Sequence, residues 1–397
     1  MGVRNSGFSW ETKLARRTAL IRRNSVREFL KFAGQPGIIS FAGGLPAPEV
    51  FPLEEIQIAT EAALRNYGAK ALQYGQSEGI PELRALIAEP FREIGVRPEN
   101  ILITSGAQQA LDILGRVLLN EGDRVLVENP TYLSALSVWR PLGVQFAGIK
   151  SDDTGLLVSE VCQSEGAKLL YTIPNFQNPG GTTLSLERRE ALAAYAVKQD
   201  LVVVEDDPYR ELRYEGEELP TLLHLSGNIK GPIVHVGTFS KVLAPGFRLG
   251  WIIASEELID RLVSARQAMD LHTGTFNQYV ALELISAGVL ERQVPKIRRL
   301  YRAKRDAMLS ALTQSMPAPV KWTRPKGGMF FLASLPYGKN ARGFARCALD
   351  AGVAVVPGEE FHVTGGENTF RLNFSHPNTE EIHEGIRKLA PIAAGFC

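Results

Sequence analysis

Lys241 stands in the stretch HVGTFSKVLAPGFRLGW, residues 235–251. An apolar, strand-like run precedes it and an Ala-Pro-Gly loop follows. Thr238 and Ser240 come just before it, and Arg248 lies seven residues after it. No ordinary salt-bridge partner is near in sequence. A lone lysine there reads as a side chain snorkelling from a strand end, but this one has company. VVVEDDPYREL (202–212) ends another apolar run in carboxylates. Asp206 is the candidate for holding a cation or a ring N–H, with Tyr209 at fixed spacing after it, while Asp207 reads as a solvated strand end. SGAQQALD (105–112) follows a third strand and opens a helix. The backbone N–H groups of Ser105, Gly106, Ala107 and Gln108 would face an anion there, although a plain capped helix start fits equally well. IPNFQNPGG (173–181) is a turn carrying two candidate asparagines. A lysine amine beside an anion loop and a buried carboxylate can form a Schiff base with an aldehyde cofactor. Condensation removes the cost of burying an ammonium group. The Thr238 and Ser240 hydroxyls can bind a phosphate, and the fork of donors on Arg248 can neutralise it.

The elements that must carry these residues alternate. ILIT (101–104) precedes a helical pattern reaching Leu119, RVLVE (124–128) a helix from about Thr131, and KLLYTI (168–173) the helical LSLERREALAAYAVKQ. LVVVEDD, IVHVGT and LGWIIA follow. Strands this apolar are buried on both faces. The expected fold is α/β, with a three-layer large domain on a mainly parallel mixed sheet and the polar residues at the strands' carboxyl ends. A long helix over about 290–314 and mixed strands after it suggest a smaller α+β domain. The expected division is 1–52 as an N-terminal arm and part of the small domain, 53–290 as the large domain, and 291–397 as the small domain.

Composition sets bounds on function. The chain has 397 residues and a formal net charge of +1, which argues against a general nucleic-acid footprint. Cys162, Cys347 and Cys397 form no close pair and read as reduced thiols. Without a His-Glu-x-x-His, no metal site is expected. No apolar run reaches the roughly 20 residues that span a bilayer. The basic N-terminus fits an amphipathic helix or an arm lying on another subunit; a mitochondrial transit peptide is the alternative, and a cytoplasmic location the default.

The ordered motifs GGLPAP, LQYGQSEG, ENPTY, NPGG, EDDPY, TFSKVLAPGFRLG and FRLNF, between about residues 41 and 375, resemble fold type I class I/II aminotransferases. They are most similar to the branch of 2-aminoadipate and other broad-specificity aminotransferases. The one visible departure, Thr238 where serine is frequent, keeps the hydroxyl. The resemblance implies pyridoxal 5'-phosphate (PLP) as cofactor, a Schiff base on Lys241, and Asp206 paired with the pyridine nitrogen. Asn178 and Tyr209 would bond the phenolic oxygen, and Tyr132 would stack on the ring. Ser105, Gly106, Ala107, Gln108, Ser240 and Arg248 would hold the phosphate, with Thr238 nearby. Tyr74 would reach the phosphate of a neighbouring subunit, which implies a homodimer with shared active sites. Arg371 would grip the substrate α-carboxylate, with Gly44 and Asn178 beside it.

The implied reaction is a ping-pong transamination between an L-amino acid, with glutamate as donor, and a 2-oxo acid. 2-Aminoadipate, branched-chain, aromatic and kynurenine substrates all fit. In that branch an arginine near NSVREFLKF (24–32) contacts acidic side chains, and Arg27 aligns with it, with Arg22 and Arg23 as competitors. A β-lyase on the same fold is the alternative. A transcription regulator is disfavoured by the roughly 40 residues before GGLPAP, and a nucleotide-dependent oxidoreductase by the missing Gly-x-Gly-x-x-Gly.

Overall fold

The computed structural model describes residues 8–21 and 35–397. Its centre is an eight-stranded sheet. The strands are β1 (Ile101–Thr104), β2 (Arg124–Asn129), β3 (Gln145–Asp152), β4 (Gly155–Leu156), β5 (Ala167–Thr172), β6 (Val202–Asp206), β7 (Ile233–Thr238) and β8 (Gly250–Ile253). Their order across the sheet is β1-β8-β7-β6-β5-β2-β3-β4. The run β7-β6-β5-β2-β3 is parallel; β8 is antiparallel to both of its neighbours, and β4 to β3.

Alternation along each strand explains the three layers. Leu102, Val125, Val127, Leu169, Tyr171, Val204 and Val236 face one buried cluster. Ile101, Ile103, Leu126, Leu170, Val203 and Ile233 face the other. The first face packs against helix α1 (Ala107–Leu118) through Ala110, Leu111 and Leu114. The second packs against α2 (Leu186–Gln199) through Leu192, Ala193 and Ala196. Ser185 caps α2 by accepting the Arg188 N–H. A long helix, α3 (Val289–Ser315), leads to an antiparallel sheet of β9 (Lys321–Trp322), β10 (Phe330–Ser334), β11 (Val356–Pro357) and β12 (Thr369–Asn373), ordered β9-β10-β12-β11. Ile39–Ser40 pairs in parallel with Val353–Ala354, tying an early segment to a late one.

The structure bears out the α/β expectation and adds elements that the apolar-run criterion overlooks. Strand β3 buries only Ile149 fully and leaves its other positions half-buried or exposed, so it carries no continuous apolar run. The helix Leu53–Tyr67 buries only Ala59 and Ala63, so it has no bulky periodic stripe. Of the two N-terminal readings, the amphipathic helix is corrected among residues 8–21. Among residues 8–21, Trp10–Lys13 and Arg16–Leu20 are 3₁₀ turns rather than an amphipathic helix, and Phe8, Trp10, Leu14 and Ile21 are exposed. Arg27 and its competitors Arg22 and Arg23 lie outside the described residues.

Candidate active site

The carboxyl ends of the parallel strands open onto a cavity of about 390 Å³. Its lining includes Gly44, Ala107, Gln108, Tyr132, Asn178, Asp206, Tyr209, Thr238, Ser240, Lys241, Arg248 and Arg371, all singled out in the sequence. Four stretches far apart in the chain converge because each follows a strand of one sheet edge: α1 after β1, Asn178 after β5, Tyr209 after β6 and Lys241 after β7. Arg371 comes from β12 on the opposite wall.

Lys241 Nζ donates to the Gly44 carbonyl at 3.1 Å. Burial, then the nearby guanidinium groups of Arg371 and Arg248, push its pKa down from 10.5 to about 8. About a tenth of the amine is therefore neutral at pH 7, far more than for an ordinary lysine. The Gly44 carbonyl thus faces the lysine.

The three consecutive acids separate by strand parity. Glu205 points to the far face, accepting the N–H groups of Leu222 and Leu223 at 2.7 and 3.2 Å, with His235 Nδ1 at 3.2 Å. Asp206 points to the cavity. Its Oδ2 accepts the Tyr171 hydroxyl at 2.7 Å, while its Oδ1 is buried without a partner. Burial raises the Asp206 pKa to about 7; Asp207 adds to the rise, and the Tyr171 hydrogen bond and His235 oppose it. Asp207 is not a solvated strand end: it is buried, and its Oδ1 accepts from Asn175 Nδ2 at 2.8 Å.

At one end of the cavity the N-terminus of α1 meets Arg248. Gly106 has φ +80°, and a Cβ there would lie 2.7 Å from Arg248 Nη2. That nitrogen donates to the Ser105 carbonyl at 3.0 Å. Ser105 and Gly106 therefore shape this end through the backbone without lining the cavity. Thr238 Oγ1 accepts the Ser240 N–H at 3.1 Å and lies 2.9 Å from both Ser240 Oγ and the Leu249 carbonyl. It braces Ser240.

At the other end Arg371 is held on all sides. Nη1 donates to Asn178 Oδ1 at 2.8 Å and Nη2 to the Ala42 carbonyl at 2.7 Å. The guanidinium carbon lies 4.4 Å from the Phe330 ring centre and 4.8 Å from that of Phe361. Nε is buried without a partner. Burial pushes its pKa down to about 10, which leaves it charged at neutral pH. Asn178 Nδ2 lies 3.4 Å from the Tyr209 hydroxyl, and burial holds the pKa of that phenol far above 10.0.

Tyr74, expected at the phosphate of a neighbouring subunit, does not line this cavity. Tyr74 is 79% exposed and turned edge-on to His272 with ring centres 5.8 Å apart. Arg27 lies outside the described residues. The sequence reading missed Tyr171, Phe330 and Phe361. Tyr171 sits inside the KLLYTI run on the Asp206 face of the sheet, so a strand-parity count could have found it. Phe361 reaches the cavity from the 3₁₀ turn Gly358–Phe361 between β11 and β12, and nothing local in the sequence marks it.

The residues present fit PLP. Lysine and two arginines line the cavity against one carboxylate, Asp206, so the walls favour an anionic occupant. The unpartnered Asp206 Oδ1 offers an acceptor to a ring N–H, and Lys241 offers an amine poised near its pKa.

The chain belongs to the aminotransferases of class I and II, whose family model matches residues 49–389. It is 44% identical to the 2-aminoadipate transaminase of Thermus thermophilus over 98% of both chains. It is 43% identical to aromatic-amino-acid aminotransferase 1 of Thermococcus litoralis, covering 96% of this chain and 94% of that one. The crystal structure of the alpha-aminoadipate aminotransferase LysN from Thermus thermophilus, complexed with N-(5'-phosphopyridoxyl)-L-leucine, superposes with a TM-score of 0.91 at 43% identity. That match covers 98% of this chain and 99% of LysN. The fold is that of the PLP-dependent aminotransferases, the cofactor is PLP, and the activity is amino-acid transamination. The β-lyase alternative is not favoured.

Proposed function

We propose that this aminotransferase takes an L-amino acid with an acidic or a sizeable apolar side chain, uses glutamate and 2-oxoglutarate as one of its pairs, and works through Lys241, Asp206 and Arg371. The observation that carries the reading is the position of Lys241. Its half-buried, partly neutral amine shares one cavity with an unpartnered carboxylate oxygen at Asp206 and an arginine, Arg371, in contact with two aromatic rings. Bound PLP supplies an aldehyde that condenses with amines and a ring that draws electrons from the substrate Cα.

The rest of the reading concerns this chain's side chains. Ala107, Gln108, Ser240 and Arg248 hold the phosphate, with Ser105 and Gly106 shaping the loop and Thr238 bracing Ser240. Tyr132 packs against the ring, and Asn178 and Tyr209 bond its phenolic oxygen. Arg371 orients the substrate carboxylate, with Asn178 and the Gly44 region beside it. Lys241 Nζ, once neutral, would take the proton from the substrate Cα and deliver it to the cofactor carbon. A carboxylate gripped by Arg371 keeps the Cα–carboxyl bond away from the position where it would break. Ile173, Leu133, Phe330 and Phe361 give the cavity apolar walls suited to leucine-like or aromatic side chains, as well as to the stem of an acidic one. Arg27 is the candidate for a distal carboxylate.

A homodimer completes the site in this reading. Leu53, Ile58, Leu72 and Tyr74 are all more than half exposed within about 20 residues, an apolar surface suited to a second copy. Tyr74 would reach the partner's phosphate site. The domains divide as 1–52 and 291–397 against 53–290, supported by the pairing of Ile39–Ser40 with Val353–Ala354. Three unpaired cysteines support a cytoplasmic, reducing location. Among the described residues no helix is long and apolar enough to cross a membrane. Lys241→Ala tests the core of the reading: the variant should hold PLP without a covalent link and show no turnover. Substantial turnover would refute it.

A further inference from the structure

Behind Asp206 stands a group with no part in the reaction as described so far. Tyr171 on β5 is fully buried and sits in register with Val204 of β6, two residues before Asp206. Its hydroxyl donates to Asp206 Oδ2 at 2.7 Å. The tyrosine is itself anchored. Its ring meets Trp139 edge-on with centres 5.6 Å apart, and Trp139 Nε1 donates to the Leu111 carbonyl of α1 at 2.7 Å. The two oxygens of Asp206 therefore differ: Oδ2 is held, and Oδ1 is buried and free.

A buried carboxylate with no donor takes up a proton. Here burial and Asp207 favour that proton, and the Tyr171 hydrogen bond and His235 oppose it. Burial and the adjacent acid keep the Tyr171 phenol protonated, so it remains a donor. We propose that Tyr171 is a positioning residue for transamination: its phenol fixes the Asp206 carboxylate in one orientation and favours its ionised form, so that Oδ1 is the acceptor presented to the pyridine N–H of PLP. The inference rests on the reading of Asp206 as the ring-nitrogen partner, and it assigns a further residue to that task.

The test uses holoenzyme of the wild type, Tyr171→Phe, Asp206→Asn, the double variant and Trp139→Phe. It reads the pH midpoint of the lysine–PLP absorbance change, the PLP dissociation constant, and kcat and KM separately. A positive ring nitrogen lowers that midpoint by repulsion, so Asp206→Asn should raise it and weaken PLP binding. Tyr171→Phe should shift both readouts in the same direction by less, with roughly a tenfold rise in the dissociation constant, as expected for loss of a hydrogen bond to a charged group. It should lower kcat with little change in KM, and should add less than about twofold in the Asp206→Asn background. Trp139→Phe, which disturbs the packing but leaves the hydrogen bond, should keep the wild-type midpoint. A wild-type midpoint and affinity in Tyr171→Phe, alongside a shift in Asp206→Asn, overturns the role of Tyr171 alone. No shift in Asp206→Asn overturns the reading of Asp206 beneath it. An equal shift in Trp139→Phe makes the effect one of packing and overturns the proposal. Should Tyr171→Phe not fold, Tyr171→Met, which also removes the donor, is read on the same readouts: a shift smaller than that of Asp206→Asn supports the proposal, and a wild-type midpoint and affinity overturn it.

Discussion

Arg371→Lys isolates the geometry of the arginine from its charge. The guanidinium already donates to Asn178 and to the Ala42 carbonyl, and lies between Phe330 and Phe361. A substrate carboxylate would add two parallel hydrogen bonds. Lysine can supply one of those bonds, so one charge-assisted bond is lost, at about 1.5–3 kcal/mol. Weaker seating between the rings adds about 0.5–1 kcal/mol. The total of about 2–4 kcal/mol corresponds to roughly a 30- to 1,000-fold fall in kcat/KM. The assay is steady-state kinetics with L-glutamate and 2-oxoglutarate, with the PLP absorbance recorded alongside. That absorbance should stay near wild type, because Arg371 lies at the end of the cavity away from Arg248. A fall of less than about fivefold in kcat/KM, with cofactor bound, would refute the assignment of Arg371 to the carboxylate.

Two further predictions follow from the same cavity. Lys241 has a pKa of about 8 in the folded protein against 10.5 for an ordinary lysine. Between those values the unfolded chain binds more protons, so the cofactor-free protein should gain stability as pH rises from about 8 to 10.5 and lose that increment as pH falls back. Denaturant midpoints across this range should rise in the wild type, and the rise should be smaller in Lys241→Ala; parallel profiles would contradict the depressed pKa. Gly106→Ala places a methyl group 2.7 Å from Arg248 Nη2 at a φ of +80°. It should cost about 1–3 kcal/mol of stability and weaken PLP binding, read by thermal unfolding and cofactor titration.

The sequence disclosed those parts of the site that neighbouring residues announce together. Lys241, Ser240 and Arg248 lie within nine residues, and Asp206 and Tyr209 within four. The sheet was legible where a strand is buried on both faces, as in IVHVGT, which matches β7 residue for residue. It was not legible in β3, whose outward positions are partly solvated, nor in Leu53–Tyr67, which packs through alanines. Side-chain division of labour also escaped. Glu205, Asp206 and Asp207 are adjacent in sequence, yet strand parity and local donors send one to a helix end, one to the cavity and one to Asn175. The stacking of Phe361 on Arg371 is a tertiary contact between segments that carry no shared local signal.

An absorbance titration of purified protein with L-glutamate, then with 2-oxoglutarate, tests the central claim most directly. The band of lysine-bound PLP should fall as that of the amine form of the cofactor rises, and 2-oxoglutarate should reverse the change. Repeating the reversal with other 2-oxo acids then reads out the substrate range. A lysine-bound band that ignores every amino acid tried, or no band at all after reconstitution with PLP, would contradict the assignment of Lys241 and the transamination built on it.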